Sequence, residues 1–180
     1  MMKDERTELW DLYTADRVRT GRTMRRCDEC PAGLYHLVVH VCIFWQGKML
    51  LQQRQPFKDG WPDLWDVTAG GSALAGDTSQ AAAERELWEE MGIALSLDGR
   101  LPALTMTFPD GFDDYYIVQK DISLDALRLQ PEEVQAAKWA DKEEILRMID
   151  AGTFLPVHKS AIELLFWLSE HDSVLMEPAV

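Results

Sequence analysis

Between Gly70 and Ile93 the chain reads GGSALAGDTSQAAAERELWEEMGI, which places Glu86, Glu89, Glu90 and an arginine on one short segment just after a paired-glycine turn. Ala83, Leu87 and Met91 recur at helical spacing and predict a helix from about Thr78 to Met91, capped by Thr78 or Asp77 and ended by Gly92. On that helix Glu86, Glu89 and Glu90 stand three and four positions apart, so their carboxylates crowd one side. Arg85 lies one turn before Glu89 and can pair with it. Like charges at that separation repel, and a helix would gain by dispersing them. Most charge runs are solvated faces. Here the glycine turn, the arginine and the closing Gly92-Ile93 favour a site instead. Oxygen-only carboxylate clusters suit Mg2+ or Mn2+, which keep several waters and bridge to phosphate oxygens. A negative protein can then bind a negative substrate.

The spacing runs Gly71, five residues, Asp77, seven residues, then Arg85-Glu86-Leu87-x-Glu89-Glu90-x-Gly92-Ile93. It resembles the signature of the Nudix hydrolases, with Asp77 where that family usually has a glutamate. The resemblance covers roughly residues 35–150. It implies an α/β (α+β) fold in which a mixed sheet lies between helices, an α-β-α sandwich with the motif as a loop-helix-loop. It also implies hydrolysis of a diphosphate linkage in a nucleoside diphosphate derivative or a similar X-diphosphate. In that reading Glu86, Glu89 and Glu90 hold Mg2+ or Mn2+, helped by a turn carbonyl near Gly70, and Arg85 orients Glu89.

Within that family the chain is similar to the isopentenyl-diphosphate-isomerase-like branch, through DRVRTGRTMRR, Gly33-Leu34-Tyr35-His36, LLQQR, Lys58 and WPDLWDVTAGG. The isomerases carry a cysteine just before the turn glycine and a histidine just after it. Aligning Trp65 and Gly71 puts Gly70 and Ser72 at those positions, so the groups that move an allylic proton are missing. His36 matches one isomerase metal histidine, and Asp114 falls near a catalytic glutamate. Isomerase activity is one alternative function, and a nucleotide-sensing module without turnover is another. The intact Glu86, Glu89, Glu90 and Arg85 favour an enzyme.

Glu86 could itself take the proton from the water unless it is fully occupied as a ligand, and a general base has four further candidates: Asp113, Asp114, Glu132 and Glu133. Asp114 is preferred for its place in the isomerase alignment, with Glu133 second. Arg54 and Lys58 are candidates to contact phosphate. Trp61, Trp65, Phe108, Phe112 and Tyr115 offer stacking or apolar surface for the group X, and Arg17, Arg19, Arg22, Arg25 and Arg26 could close over a phosphate.

The remaining composition bounds these readings. At 180 residues and 47% hydrophobic content the chain can bury one good core, read as an N-terminal extension over 1–34 packed on a domain over 35–180. A net charge of −13 argues against nucleic acid as the main partner. No apolar run approaches membrane-spanning length, the N-terminus is charged rather than signal-like, and three cysteines suit a cytoplasmic protein. Nothing in the sequence forbids a homodimer. Cys27 and Cys30 form a CxxC, but its gap to His36 and His40 is too short for a zinc finger, and Cys42 is expected in the core. Residues 35–54 read as a hairpin turning at Gln46-Gly47-Lys48, WDVTA as a short strand, and 101–108 and 114–120 as strands joined by the loop PDGFDD. A strand at Val134–Trp139, a helix in DKEEILRMIDAG and a last helix over Val157–Ser169 follow.

Overall fold

The computed structural model describes residues 7–171. The chain opens with an antiparallel hairpin, β1 (Leu9–Tyr13) and β2 (Arg19–Arg25). Trp10, Leu12 and Met24 bury themselves beneath it with Leu34 and Leu74 alongside. A second hairpin, β3 (His36–Trp45) and β4 (Lys48–Arg54), turns where expected. Gln46 and Gly47 both take positive φ, 49° and 73°, the conformation whose twist matches a two-residue hairpin.

These two strands pair only near the turn and then part. Farther along, β3 pairs with β6 (Ala69–Ser72) and, in parallel, with β8 (Gly111–Gln119), while β4 pairs with β5 (Trp65–Asp66) and β9 (Val134–Asp141). Thr68 fills the fork. Its hydroxyl accepts from Ile43 N at 2.9 Å and donates to the Leu50 carbonyl at 2.6 Å, so backbone groups left by the split are satisfied. β7 (Leu104–Phe108) completes the sheet beside β8.

Alternation along β3 serves both faces. Leu37, Val39, Val41 and Ile43 meet α1 (Ser79–Met91), whose Ala82, Ala83, Leu87 and Met91 are fully buried. Cys42 and Phe44 meet α2 (Lys142–Asp150) and α3 (Lys159–Glu170) through Ile145, Ile162, Leu165 and Phe166. The result is a mixed sheet between helices. Truncating Leu87 to Ala in this layer should cost about 2–5 kcal/mol. Among the described residues no helix is long and apolar enough to cross a membrane.

Two readings from sequence change. WDVTA is divided between β5 and β6. Residues 111–114, read as loop, belong to β8, because the parallel ladder with β3 begins at His36↔Gly111 and draws them in. A Cβ on Gly111 would lie 2.6 Å from the His36 carbonyl oxygen, so glycine permits that approach. Asp113 and Asp114 therefore face opposite sides of the sheet.

Candidate active site

Thr78 caps α1, its hydroxyl accepting from Ala81 N at 3.1 Å, and Gly92 closes the helix at φ 69°. Asp77 is thereby left for other work. Its Oδ2 accepts from Leu74 N at 3.1 Å and from Arg85 Nε and Nη2 at 3.3 Å each. Arg85 also donates to the Ser72 carbonyl at 3.1 Å, to Glu86 at 2.8 Å and to Glu89 at 3.3 Å. The guanidinium thus ties the glycine turn, the loop and two of the three glutamates together.

Glu90 is the third and is 4% exposed. Its Oε2 accepts from Gly70 N at 3.1 Å and from Gln52 Nε2 at 2.8 Å. Both glycines of the turn are needed for close approach. A Cβ on Gly71 would stand 2.5 Å from Glu86 Oε1, and one on Gly70 would strike the His40 ring.

Burial pushes the Glu90 carboxyl well above the usual carboxylate range, and the Glu86 charge pushes it further, against the partial relief of Gly70 and Gln52. Burial also raises Glu86, opposed by Arg85 and reinforced by Glu89. Arg85 itself is held above its ordinary value, its neighbouring acids outweighing its burial. The Glu133 charge reaches the same place, adding to the pressure on Glu90. Lys58 Nζ donates to Glu133 Oε1 at 2.8 Å. Glu86, Glu89, Glu90, Gly70, Glu133 and Lys58 are therefore brought to one region. Among the described residues no group of three or more acid, histidine or cysteine side chains stands arranged to hold a metal ion. The all-oxygen set still fits a hard cation that retains waters, and a cation would offset the crowding of buried carboxylates.

Asp114, preferred from the sequence as general base, is not in this group. It faces α1 two strands from Gly71 across Val39, roughly 10 Å away at ordinary strand spacing. It is 1% exposed and gripped by Arg17 at 2.6 and 3.0 Å, Thr105 at 2.6 Å and Ser79 at 2.7 Å. Burial alone would raise its pKa, but these donors hold it below the ordinary range, which is the wrong direction for a base. Arg54 donates to the Gly60 carbonyl at 3.0 and 3.1 Å and lies 3.9 Å from Asp66, fastening the 55–64 loop. Of the five N-terminal arginines, Arg17, Arg19 and Arg26 are paired with acids.

The opposite face of the sheet carries residues that the sequence reading did not assemble. His40 Nδ1 lies 2.6 Å from Asp113 Oδ1 and its ring stacks on Tyr115. Burial lowers the His40 pKa, but Asp113 more than offsets it and leaves it raised. With Asp66, Met106 and Phe154 they line a cavity of about 190 Å³. The Gly70 backbone separates this cavity from Glu90. His36 instead stacks on Trp10, 4.6 Å between centroids, with Phe108 at its edge. Cys27 and Cys30 are free thiols, and Cys42 is buried in the core. Gln52 was the one missed partner with a sequence signal, a polar residue following the buried run Met49-Leu50-Leu51.

Comparisons with known proteins bear on the family and the fold. An uncharacterized Nudix hydrolase of Listeria monocytogenes is 47% identical over 150 residues, covering 83% of this chain and 89% of that protein. An isopentenyl-diphosphate Delta-isomerase of Shigella flexneri is 26% identical over 81% of this chain and 83% of its own length. A crystal structure from Deinococcus radiodurans, DR0079, superposes with a TM-score of 0.68 at 26% identity over 88% of this chain and 97% of that one. The NUDIX domain matches residues 34–165, from just before β3 into α3, and with the motif helix standing at the centre of that match the chain belongs to the Nudix family.

Proposed function

We propose that this protein is a Mg2+- or Mn2+-dependent hydrolase that cleaves a diphosphate linkage in a nucleoside diphosphate derivative or a similar X-diphosphate. The supporting observation is a buried carboxylate, Glu90, beside the glycine turn, with the partly buried Glu86 close enough to raise it further. An arrangement so costly to an empty protein suits one that binds a cation. Glu86, Glu89 and Glu90, with the Gly70 carbonyl, would hold it. A divalent cation there supplies positive charge to diphosphate oxygens and lowers the pKa of a water. Arg85 keeps Glu86 and Glu89 in place. Glu133, steadied by Lys58 and close enough to Glu90 to raise it, is assigned to take the proton from the attacking water in place of Asp114. Arg54 is assigned to a substrate phosphate at the same edge.

The 26% likeness to isomerases supports kinship with that branch, whereas Gly70 and Ser72 at the turn lack its proton-moving groups. A panel of X-diphosphates assayed with Mg2+ and Mn2+ tests the reading. Metal-dependent release of a phosphorylated product from at least one of them is expected. Tight ligand binding without turnover at any metal concentration would favour a sensing module, and deuterium entering isopentenyl diphosphate from heavy water would favour an isomerase.

A further inference from the structure

The β1–β2 hairpin grips the loop before α1 at three points and reaches the start of α1 through Asp114. The Leu9 carbonyl accepts from Ala75 N at 2.7 Å, and Asp11 Oδ2 accepts from Gly76 N at 2.8 Å. Arg19 donates to the Asp77 carbonyl and lies 3.4 Å from Asp11. Arg17, in the connection between the two strands at φ 59°, reaches inward to Asp114. Asp114 accepts in turn from Ser79 Oγ, the first residue of α1, and Tyr116 donates to that same hydroxyl at 2.8 Å. From the loop the chain of contacts continues inward. Asp77 binds Arg85, and Arg85 binds Glu86 and Glu89.

We propose that the hairpin is a positioning clamp for the cation site, with Arg17 fixing the start of α1 and Arg19 fixing Asp77, so that Arg85 holds Glu86 and Glu89 in register. The inference rests on the metal-hydrolase reading. The clamp has physical work to do, because Glu86, Glu89 and Glu90 repel and an unrestrained helix end would relax by spreading them. Arg17 sits in the left-handed region, a strain its bidentate pair with Asp114 offsets. Neither arginine is catalytic, since each acts through another residue.

The test uses the full chain and Mn2+ alone, titrated by electron paramagnetic resonance, with thermal melting and hydrogen exchange of residues 74–90 alongside. Arg19 is partly exposed and leaves no buried acid behind, so Arg19→Gln should melt like the wild type. It should nonetheless weaken Mn2+ binding about tenfold, as expected for residues that orient metal ligands, and speed exchange at Ala75–Ala81. Arg19→Lys should restore both. Arg17→Gln should do the same as Arg19→Gln with a lower melting temperature. Wild-type Mn2+ affinity in folded Arg17→Gln and Arg19→Gln, while Glu89→Gln and Glu90→Gln lose it, would overturn the clamp alone. Absence of Mn2+ binding by the wild type would overturn the metal reading and the clamp with it.

Discussion

Replacing Glu90 by glutamine separates the cost of the site from its use. Glu90 Oε2 accepts both donors, Gly70 N and Gln52 Nε2, so an amide oxygen in its place keeps both bonds. The amide nitrogen then replaces an oxygen whose charge was opposed by Glu86. In chelator, Glu90→Gln should therefore be more stable than the wild type, by on the order of 1 kcal/mol for exchanging a buried charge for a neutral isostere. For a chain of this length that is about 2–4 °C in Tm. Metal reverses the order. Saturating the wild type at about a hundred times its Kd adds about 2.7 kcal/mol, an increment the variant should largely lack. Turnover should fall at least about a hundredfold, equivalent to about 2.7 kcal/mol of transition-state stabilisation. Melting curves in chelator and in excess Mg2+, with kcat measured on the same samples, check all three expectations. A variant less stable than wild type in chelator, or one retaining full kcat at saturating Mg2+, would refute the argument.

Gly71→Ala puts a methyl 2.5–2.9 Å from the Glu86 carboxylate atoms, and that side chain must retreat by about 1 Å to reach ordinary contact. Loss of kcat/KM by about a hundredfold with little change in Tm is expected, and unaltered kinetics would show that Glu86 is free to move. Asp114→Asn should lower stability at pH 7 by about 2 kcal/mol, the scale of a hydrogen bond to a charged group. Because the folded pKa of Asp114 lies below the ordinary value, its contribution is fully present above the unfolded pKa, about 3.9, and fades as pH falls through the folded value. The gap between variant and wild type should accordingly close in acid, and a gap that persists at the lowest pH where both fold would contradict the assignment. Glu133→Gln, not Asp114→Asn, should flatten the acid limb of the kcat profile.

The motif helix was legible because everything defining it is local. Spacings of three and four, a threonine before the first turn and a glycine after the last need no knowledge of the rest of the chain. The placement of Asp114 was not legible, because it depends on a ladder between strands more than seventy residues apart in sequence. Gly111, Asp113 and Asp114 look like loop residues by composition, and the parallel pairing with β3 overrides that preference. Arg17 was one of five arginines in a run with nothing local to single it out. Only the hairpin turn aims it at Asp114. His40 and Asp113 were separated by the same long-range register. Asp77, read as a departure from the usual glutamate, has a use its length explains. The shorter side chain reaches back to Leu74 N while still meeting Arg85.

The distribution of positive charge bears on how an acidic chain handles an anionic substrate. Arg85 is engaged by Asp77, Glu86 and Glu89, Arg17 by Asp114, Arg19 by Asp11 and the Asp77 carbonyl, and Lys58 by Glu133. These cations stand behind the carboxylates and hold them in place, facing acids of the chain rather than a ligand. With a net charge of −13 and its nearest guanidinium bound to three acids, the site on the proposed reading draws its affinity for a diphosphate chiefly from positive charge supplied from outside the chain. Two dependences follow from that. Substrate binding without metal should be weaker than the number of nearby arginines suggests, and affinity for substrate should rise with Mn2+ concentration along the curve that describes Mn2+ binding itself. Equal substrate affinity in chelator and in saturating Mn2+, measured calorimetrically with a non-hydrolysable diphosphate, would mean that the chain's own cations suffice and that Arg54 carries more of the recognition than its Gly60 contact suggests.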